Sequence, residues 1–203
     1  MTPQAALIDI GNVLLSFDFE SALKRLVPED APDPMQRIES LLERKDEYET
    51  GRIPEDEFIE WASGKLGFTG SADTFRDIWR SIFEPIPVMW KTMERLKQQG
   101  LRLYLFSNIN SIHGPYVLES YPVVKHFDGR VFSYEVGAIK PDPAIYNIAL
   151  EQHGLDASTT LYIDDLPQNI TTGRSLGLPS HQYDLHRHED LERWLEELLP
   201  HGD

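Results

Sequence analysis

Cysteine occurs nowhere in the 203 residues, which excludes both disulfide bridges and thiolate-held metals. Any apolar run long enough to cross a bilayer is also missing. Basic residues are scarce: 19 Lys and Arg stand against 34 Asp and Glu, a formal net charge of −15. A field of that sign repels nucleic acid and anionic membranes, so neither is an expected partner. It repels small phosphorylated compounds too, unless a metal ion or a well-placed lysine reverses the potential locally. The opening Met1-Thr2-Pro3-Gln4 puts no basic stretch ahead of an apolar one. No secretory signal is expected there, and a cytoplasmic protein is the simplest expectation. Internal repeats and low-complexity tracts are absent.

What is present is ordinary for a globular chain, with 40 % apolar and 26 % charged residues. The length suits one domain with a full core, or a core domain carrying a small insertion. Ala5 to Ile8 reads as a strand apolar on both faces, as in a parallel sheet, and it runs straight into Asp9 and a Gly11-Asn12 turn. Helical periodicity then takes over, with predicted helices over 34–44, 54–66 and 73–83 before Glu84-Pro85-Ile86-Pro87 breaks the chain. Residues 16–84 therefore read as a small all-helical unit inserted after the first strand. From Val88 the chain alternates. A helix to Gly100, strands over 101–108, 129–133, 160–165 and 180–183, helices over 143–153 and 170–176, and a last amphipathic helix stopped by Pro200 are predicted. Such alternation implies βαβ units: an α/β fold with a Rossmann-like, mainly parallel sheet and helices on both faces. The core domain is 1–15 plus 85–203, and 16–84 is the helical insertion.

Three predicted strands end in polar residues: Asp9, then Ser107-Asn108, then Asp164-Asp165. In a parallel sheet those ends share one edge, where ligands gather. Taken singly, each group could merely cap a turn or satisfy a strand end. Together they converge. Three carboxylates meeting at one place repel one another unless a cation offsets them. Oxygen donors without clustered His favour Mg2+ over zinc. Lys140, in Gly137-Ala138-Ile139-Lys140-Pro141 just before a helix, brings a fixed positive charge and meets the condition set by the net charge.

Asp9, Ser107-Asn108, Lys140-Pro141 and Asp164-Asp165 stand in the order of the four motifs of the haloacid dehalogenase superfamily, and nearly the whole chain resembles it. The insertion looks like that superfamily's helical cap. Asp9-Ile10-Gly11-Asn12-Val13, Ser107-Asn108-Ile109-Asn110 and Tyr48-Glu49-Thr50-Gly51-Arg52-Ile53 resemble bacterial members related to α-D-glucose-1-phosphate phosphatases. The resemblance implies a Mg2+-dependent phosphatase acting on a small phosphorylated metabolite. Asp9 would be the nucleophile, forming a phosphoaspartyl intermediate. Mg2+ would be held by Asp9, the Gly11 carbonyl and Asp165, with Asp164 a ligand or a neighbour of one. Ser107, the Asn108 N–H and Lys140 would bind phosphoryl oxygens, while Glu49 and Arg52 in the turn over 48–53 would meet the substrate.

One departure matters. Most phosphatases of the superfamily carry a second aspartate two positions after the nucleophile, as general acid and base, and here that position is Gly11. Such help is worth ~10²–10⁴-fold, so its loss penalises poor leaving groups most. The expected substrate has a leaving oxygen that departs readily, such as an anomeric phosphate, glucose 1-phosphate among them. Dehalogenases of the superfamily also lack that aspartate. A 2-haloacid dehalogenase-type hydrolase and a phosphate-ligand-binding protein therefore stand as alternatives. Trp61, Trp79 and Trp90 are expected in the core, His186 and His188 at the surface, and His113 is the histidine placed near the second motif.

Overall fold

The structure, a computed structural model, describes residues 2–199. Seven strands form among them: β1 (Ala5–Ile8), β2 (Leu15–Phe17), β3 (Phe83–Pro85), β4 (Arg102–Ser107), β5 (Gly129–Phe132), β6 (Thr160–Asp164) and β7 (Ser180–Gln182). Five of them make one parallel sheet in the order β5-β4-β1-β6-β7. All four residues of β1 are buried, because successive side chains point to opposite faces and both faces are covered. Ala6 and Ile8 join Leu103, Leu105, Leu161 and Ile163 in one apolar cluster. Ala5 and Leu7 join Tyr104, Phe106, Val131 and Tyr162 in the other.

The first cluster is closed by α6 (Pro87–Gln98) through Met89, Met93 and Leu96, α7 (His113–Ser120) through Val117, and α11 (His188–Leu198) through Leu191 and Leu195. The second is closed by α9 (Pro143–Gln152) through Ile145, Tyr146 and Ala149, and by α10 (Pro167–Ser175) through Ile170. A one-turn helix, α8 (Ser133–Val136), follows β5. The α/β architecture with helices on both faces is the one the alternating pattern predicts. β1 occupies the centre, and chain order reverses on either side of it. A ligand crevice belongs at such a switch point.

Between β2 and β3 lie α1 (Phe19–Leu23), α2 (Pro34–Glu39), α3 (Lys45–Glu49), α4 (Glu55–Leu66) and α5 (Ala72–Arg80). They carry a separate apolar cluster that includes Leu26, Tyr48, Phe58, Leu66, Phe75 and Trp79. Ile112, from the loop after β4, also packs into it. The insertion is not all-helical, as its sequence predicts, since β2 and β3 pair antiparallel with Ser16 opposite Glu84. Where the chain leaves the core and returns, the two passages lie side by side and satisfy each other's backbone groups.

The predicted 34–44 helix is broken. After α2 the chain tightens into a 3-10 stretch over Ser40–Arg44, where the Ser40 hydroxyl donates back to the Arg37 carbonyl at 2.6 Å and competes with the helical ladder. α7 has no counterpart in the sequence reading because Gly114 and Pro115 mask its periodicity. The predicted stop at Pro200 lies outside the described residues. His188 is not a free surface residue: α11 packs on α6 and places its ring against the hydroxyls of Thr92 at 3.2 Å and Tyr183 at 3.1 Å. Among the described residues no helix is long and apolar enough to cross a membrane.

Candidate active site

Register sets the geometry. Ile8 pairs with Leu105 on one side and Ile163 on the other, so Asp9, Ser107 and Asp164 finish three adjacent strands at one edge. The Asp9 N–H still donates to the Ile163 carbonyl at 3.0 Å, holding the residue against β6. Asp9, Ser107, Lys140 and Asp164 are all buried. Carboxylate oxygens of Asp9, Asp164 and Asp165 lie within 4.8 Å of one another.

Lys140 is the hub of this edge. Its Nζ donates to Asp164 Oδ2 at 2.6 Å and to the Phe106 carbonyl at 2.9 Å, and it stands 3.0 Å from Asp9 Oδ1. Burial by itself would push the ammonium's pKa down, but the Asp164 and Asp9 carboxylates together outweigh burial and hold it above its ordinary value. The Asn108 side chain locks the loop by pairing with the Lys140 backbone. Its Nδ2 donates to the Lys140 carbonyl at 2.9 Å, and its Oδ1 accepts from the Lys140 N–H at 2.7 Å. The sequence reading used only the Asn108 N–H and missed this side-chain clamp. The Ser107 hydroxyl makes no hydrogen bond and is free to donate to a ligand.

Asp164 is saturated. Its Oδ2 accepts from Lys140 and from the Tyr162 hydroxyl at 2.7 Å, while its Oδ1 accepts from the Leu166 N–H and Asn169 Nδ2, both at 2.9 Å. Burial raises its pKa, but Lys140, Tyr162 and the Leu166 N–H more than offset that and keep it ionised below the usual carboxylate range. A carboxylate so engaged anchors Lys140, and one of its oxygens also lies within 4.8 Å of oxygens of Asp9 and Asp165, in reach of a shared cation. Tyr162 escaped the sequence reading. The available signal was its place two residues before Asp164 on a strand, hence on the same face.

Asp9 and Asp165 are the opposite case. Asp9 Oδ1 is buried, with the Lys140 ammonium its ion-pair partner at 3.0 Å and no hydrogen bond to any other group among the described residues. Burial pushes the Asp9 carboxyl up to about 7, opposed by Lys140 and reinforced by Asp164 and Asp165. Burial also raises Asp165, against a 3.1 Å hydrogen bond that its Oδ2 accepts from Asn12 Nδ2. Asn12 reaches it from a left-handed turn at φ 51°, a conformation asparagine tolerates. Three carboxylates whose oxygens lie within 4.8 Å of one another, with one ammonium between them, fit a hard divalent cation that supplies further positive charge.

The turn over 48–53 joins α3 to α4 and touches the core twice. The Tyr48 hydroxyl lies 3.2 Å from the Ser111 hydroxyl in the loop after β4, and the Tyr48 ring stacks on Phe58 at 3.7 Å. Gly51, at φ 69°, passes so close to the Tyr134 carbonyl that a β-carbon would sit 2.4 Å from that oxygen. Glu49 is the last residue of α3. Burial raises its carboxyl pKa, against an ion pair with Lys45 at 3.9 Å and the more distant field of Lys140. Arg52 is exposed and its side chain joins no ion pair among the described residues, so the structure does not gather it into the cluster. Trp79 is buried as expected, while Trp61 and Trp90 are partly buried against their clusters.

Comparison with known proteins matches residues 3–177 to the haloacid dehalogenase-like hydrolases. A D-ribitol-5-phosphate phosphatase of Bacteroides thetaiotaomicron is 24 % identical over 186 residues, covering 86 % of this chain and 88 % of its own. A sesquiterpene phosphatase of Aspergillus oryzae is 28 % identical over 183 residues, covering 87 % and 88 %. A solved haloacid dehalogenase-family enzyme of Bacteroides thetaiotaomicron, in complex with magnesium and inorganic phosphate, has a TM-score of 0.78 at 25 % identity, over 90 % of this chain and 95 % of that one.

Proposed function

The chain belongs to the haloacid dehalogenase-like hydrolases, and from that premise we propose that it is a Mg2+-dependent phosphatase of a small phosphate monoester, with Asp9 as nucleophile. The observation that carries this reading is the Asp9 carboxylate, buried at the centre of the sheet edge with Lys140 Nζ 3.0 Å from one oxygen and the Asp164 and Asp165 carboxylates beside it. An Asp9 oxygen attacks phosphorus, the ester P–O bond breaks, and the leaving oxygen departs as an alkoxide with its electron pair and takes a proton from solvent. Water then attacks the same phosphorus, gives up a proton to solvent and breaks the bond to Asp9, releasing inorganic phosphate and restoring the carboxylate. Two modest steps replace one very slow one.

Lys140, the Ser107 hydroxyl and the Asn108 N–H donate to the phosphoryl oxygens, which carry most of the charge in such a transfer. Asp9, the Gly11 carbonyl and Asp165 would hold Mg2+, with Asp164 a ligand or a neighbour of one while it anchors Lys140. The ion, when bound, supplies positive charge that offsets the repulsion between the carboxylates and the incoming phosphate. Nothing at Gly11 can hand a proton to the leaving oxygen. The substrate class is therefore an ester whose oxygen leaves readily, such as an anomeric sugar phosphate of the glucose 1-phosphate kind.

We further propose that residues 16–84 act as a cap and that Glu49 receives substrate hydroxyls, with Arg52 at the rim. A dehalogenase needs no cation, and the gathering of the Asp164 and Asp165 carboxylates within 4.8 Å of Asp9 argues against that alternative. The test is phosphate release from a panel of phosphate esters with Mg2+ and with chelator, repeated on Asp9→Asn. Turnover that requires Mg2+ and vanishes in the variant supports the reading. Chloride release from 2-chloropropionate in chelator, or ligand binding without turnover of any ester, overturns it.

A further inference from the structure

Gly11 stands between the buried Ile10 and Asn12, which reaches Asp165, and a side chain there would crowd a ring: a β-carbon on it would stand 3.0 Å from Phe17 Cε1 and 3.6 Å from Cδ1. The turn between them is tight. The Asn12 N–H donates to the Leu15 carbonyl at 2.8 Å and the Leu15 N–H to the Ile10 carbonyl at 3.0 Å, which folds β2 back over the nucleophile loop. Phe17 ends β2, the first strand of the ribbon that leads to the cap. Its ring is 39 % exposed although it lies beside the buried edge of the sheet. It meets Phe19 edge to face, with centroids 5.2 Å apart, and Phe19 meets Trp79 of α5 the same way at 6.2 Å. Phe19 is itself 36 % exposed. Two half-open phenyl rings thus run from the nucleophile loop toward the cap core, where solvent contact is costly unless something apolar covers them.

In-line transfer puts the leaving oxygen opposite Asp9, and Phe17 stands against Gly11, two residues further along the chain, with part of its surface open. We propose that Phe17 is a specificity-determining residue: its ring forms the wall on which a cyclic leaving group lays its C–H face. A pyranose ring or a carbocycle offers such a face, and an open-chain polyol offers a poorer one. The inference rests on the phosphatase reading and names the substrate class within it.

The experiment compares cyclohexyl phosphate with ethyl phosphate, whose leaving alcohols have similar basicity but differ in ring bulk, with Mg2+ on the full chain. The parent, Phe17→Ala and Phe17→Leu are assayed, with thermal midpoints to confirm folding. An aromatic wall predicts that Phe17→Ala lowers the ratio of kcat/KM for cyclohexyl over ethyl phosphate roughly three- to tenfold, mostly through KM, and that Phe17→Leu falls between. An unchanged ratio in Phe17→Ala, or in a folded Phe17→Leu where the alanine variant fails to fold, overturns the inference. In either case turnover by the parent leaves the phosphatase reading standing. If the parent hydrolyses neither ester nor any sugar phosphate, that reading fails and this one with it.

Discussion

His113 Nε2 donates to the main-chain carbonyl of Trp79 at 2.9 Å, tying α7 of the core to α5 of the cap. Its other nitrogen takes the amide of Asn110 at 3.1 Å, so the imidazole is held neutral with both atoms engaged. Rings of Trp79, Phe19 and Phe83 surround it, and no charged side chain offsets its burial. The histidine that the sequence singled out near the second motif therefore ties the helical insertion to the core, outside the carboxylate cluster.

Burial depresses the His113 pKa from 6.5 to about 4. A depressed folded pKa means that its stabilisation is complete above the unfolded value and is lost as pH falls through the window from 6.5 to 4. The 2.5-unit difference corresponds to on the order of 3 kcal/mol at the acid end. Urea midpoints at pH 7.5, 6, 5 and 4 should fall across that window, and His113→Gln should have a lower plateau with a shallower fall. Parallel curves for the two proteins would remove His113 as the cause.

Neutralising Asp9 as Asn should cut ester turnover by more than about a thousandfold while the protein stays folded, because the amide cannot form the acyl phosphate. Asp164→Asn acts differently. It leaves the buried Lys140 ammonium short of a partner and should cost about 3–5 kcal/mol of stability. Tyr162→Phe removes one neutral-donor hydrogen bond to Asp164 and should cost only about 1–2 kcal/mol, with a few-fold loss in kcat. Denaturant titration beside steady-state kinetics separates the three. A Tyr162→Phe variant as damaged as Asp164→Asn would contradict the order.

Gly11→Asp on its own should be impaired, since the new side chain meets the Phe17 ring. Gly11→Asp combined with Phe17→Ala frees that volume and allows a proton donor near the leaving oxygen. For ethyl phosphate, an ester with a poor leaving group, the double variant should exceed Gly11→Asp by roughly tenfold or more in kcat. Additive losses in the two variants would show that the ring does not guard the position.

Gly51→Ala combines a left-handed backbone with a β-carbon 2.4 Å from the Tyr134 carbonyl. The turn must shift, which should cost more than about 1 kcal/mol and, on the proposal that the turn covers the substrate, raise KM more than it lowers kcat. A kcat effect with KM untouched would argue that the turn plays no part in binding.

The sequence alone determined the architecture and the membership of the central cluster. Apolar strands running into Asp9, Ser107 and Asp164, alternating with helices, can only be a parallel sheet whose polar ends share an edge, because period and connection handedness leave few other arrangements. Lys140 was legible for the same reason. How those groups divide their work was decided by tertiary contact. Asp164 and Asp165 are neighbours of one type in the chain, yet one is saturated by Lys140, Tyr162, Asn169 and the Leu166 N–H, and the other accepts from Asn12. Burial and partner count differ between them, and neither is written in local pattern. The ring of Phe17 over Gly11 and the imidazole of His113 under Trp79 are likewise set by how the ribbon and the cap fold back on the core, since distance in space, not spacing in the chain, brings those atoms together.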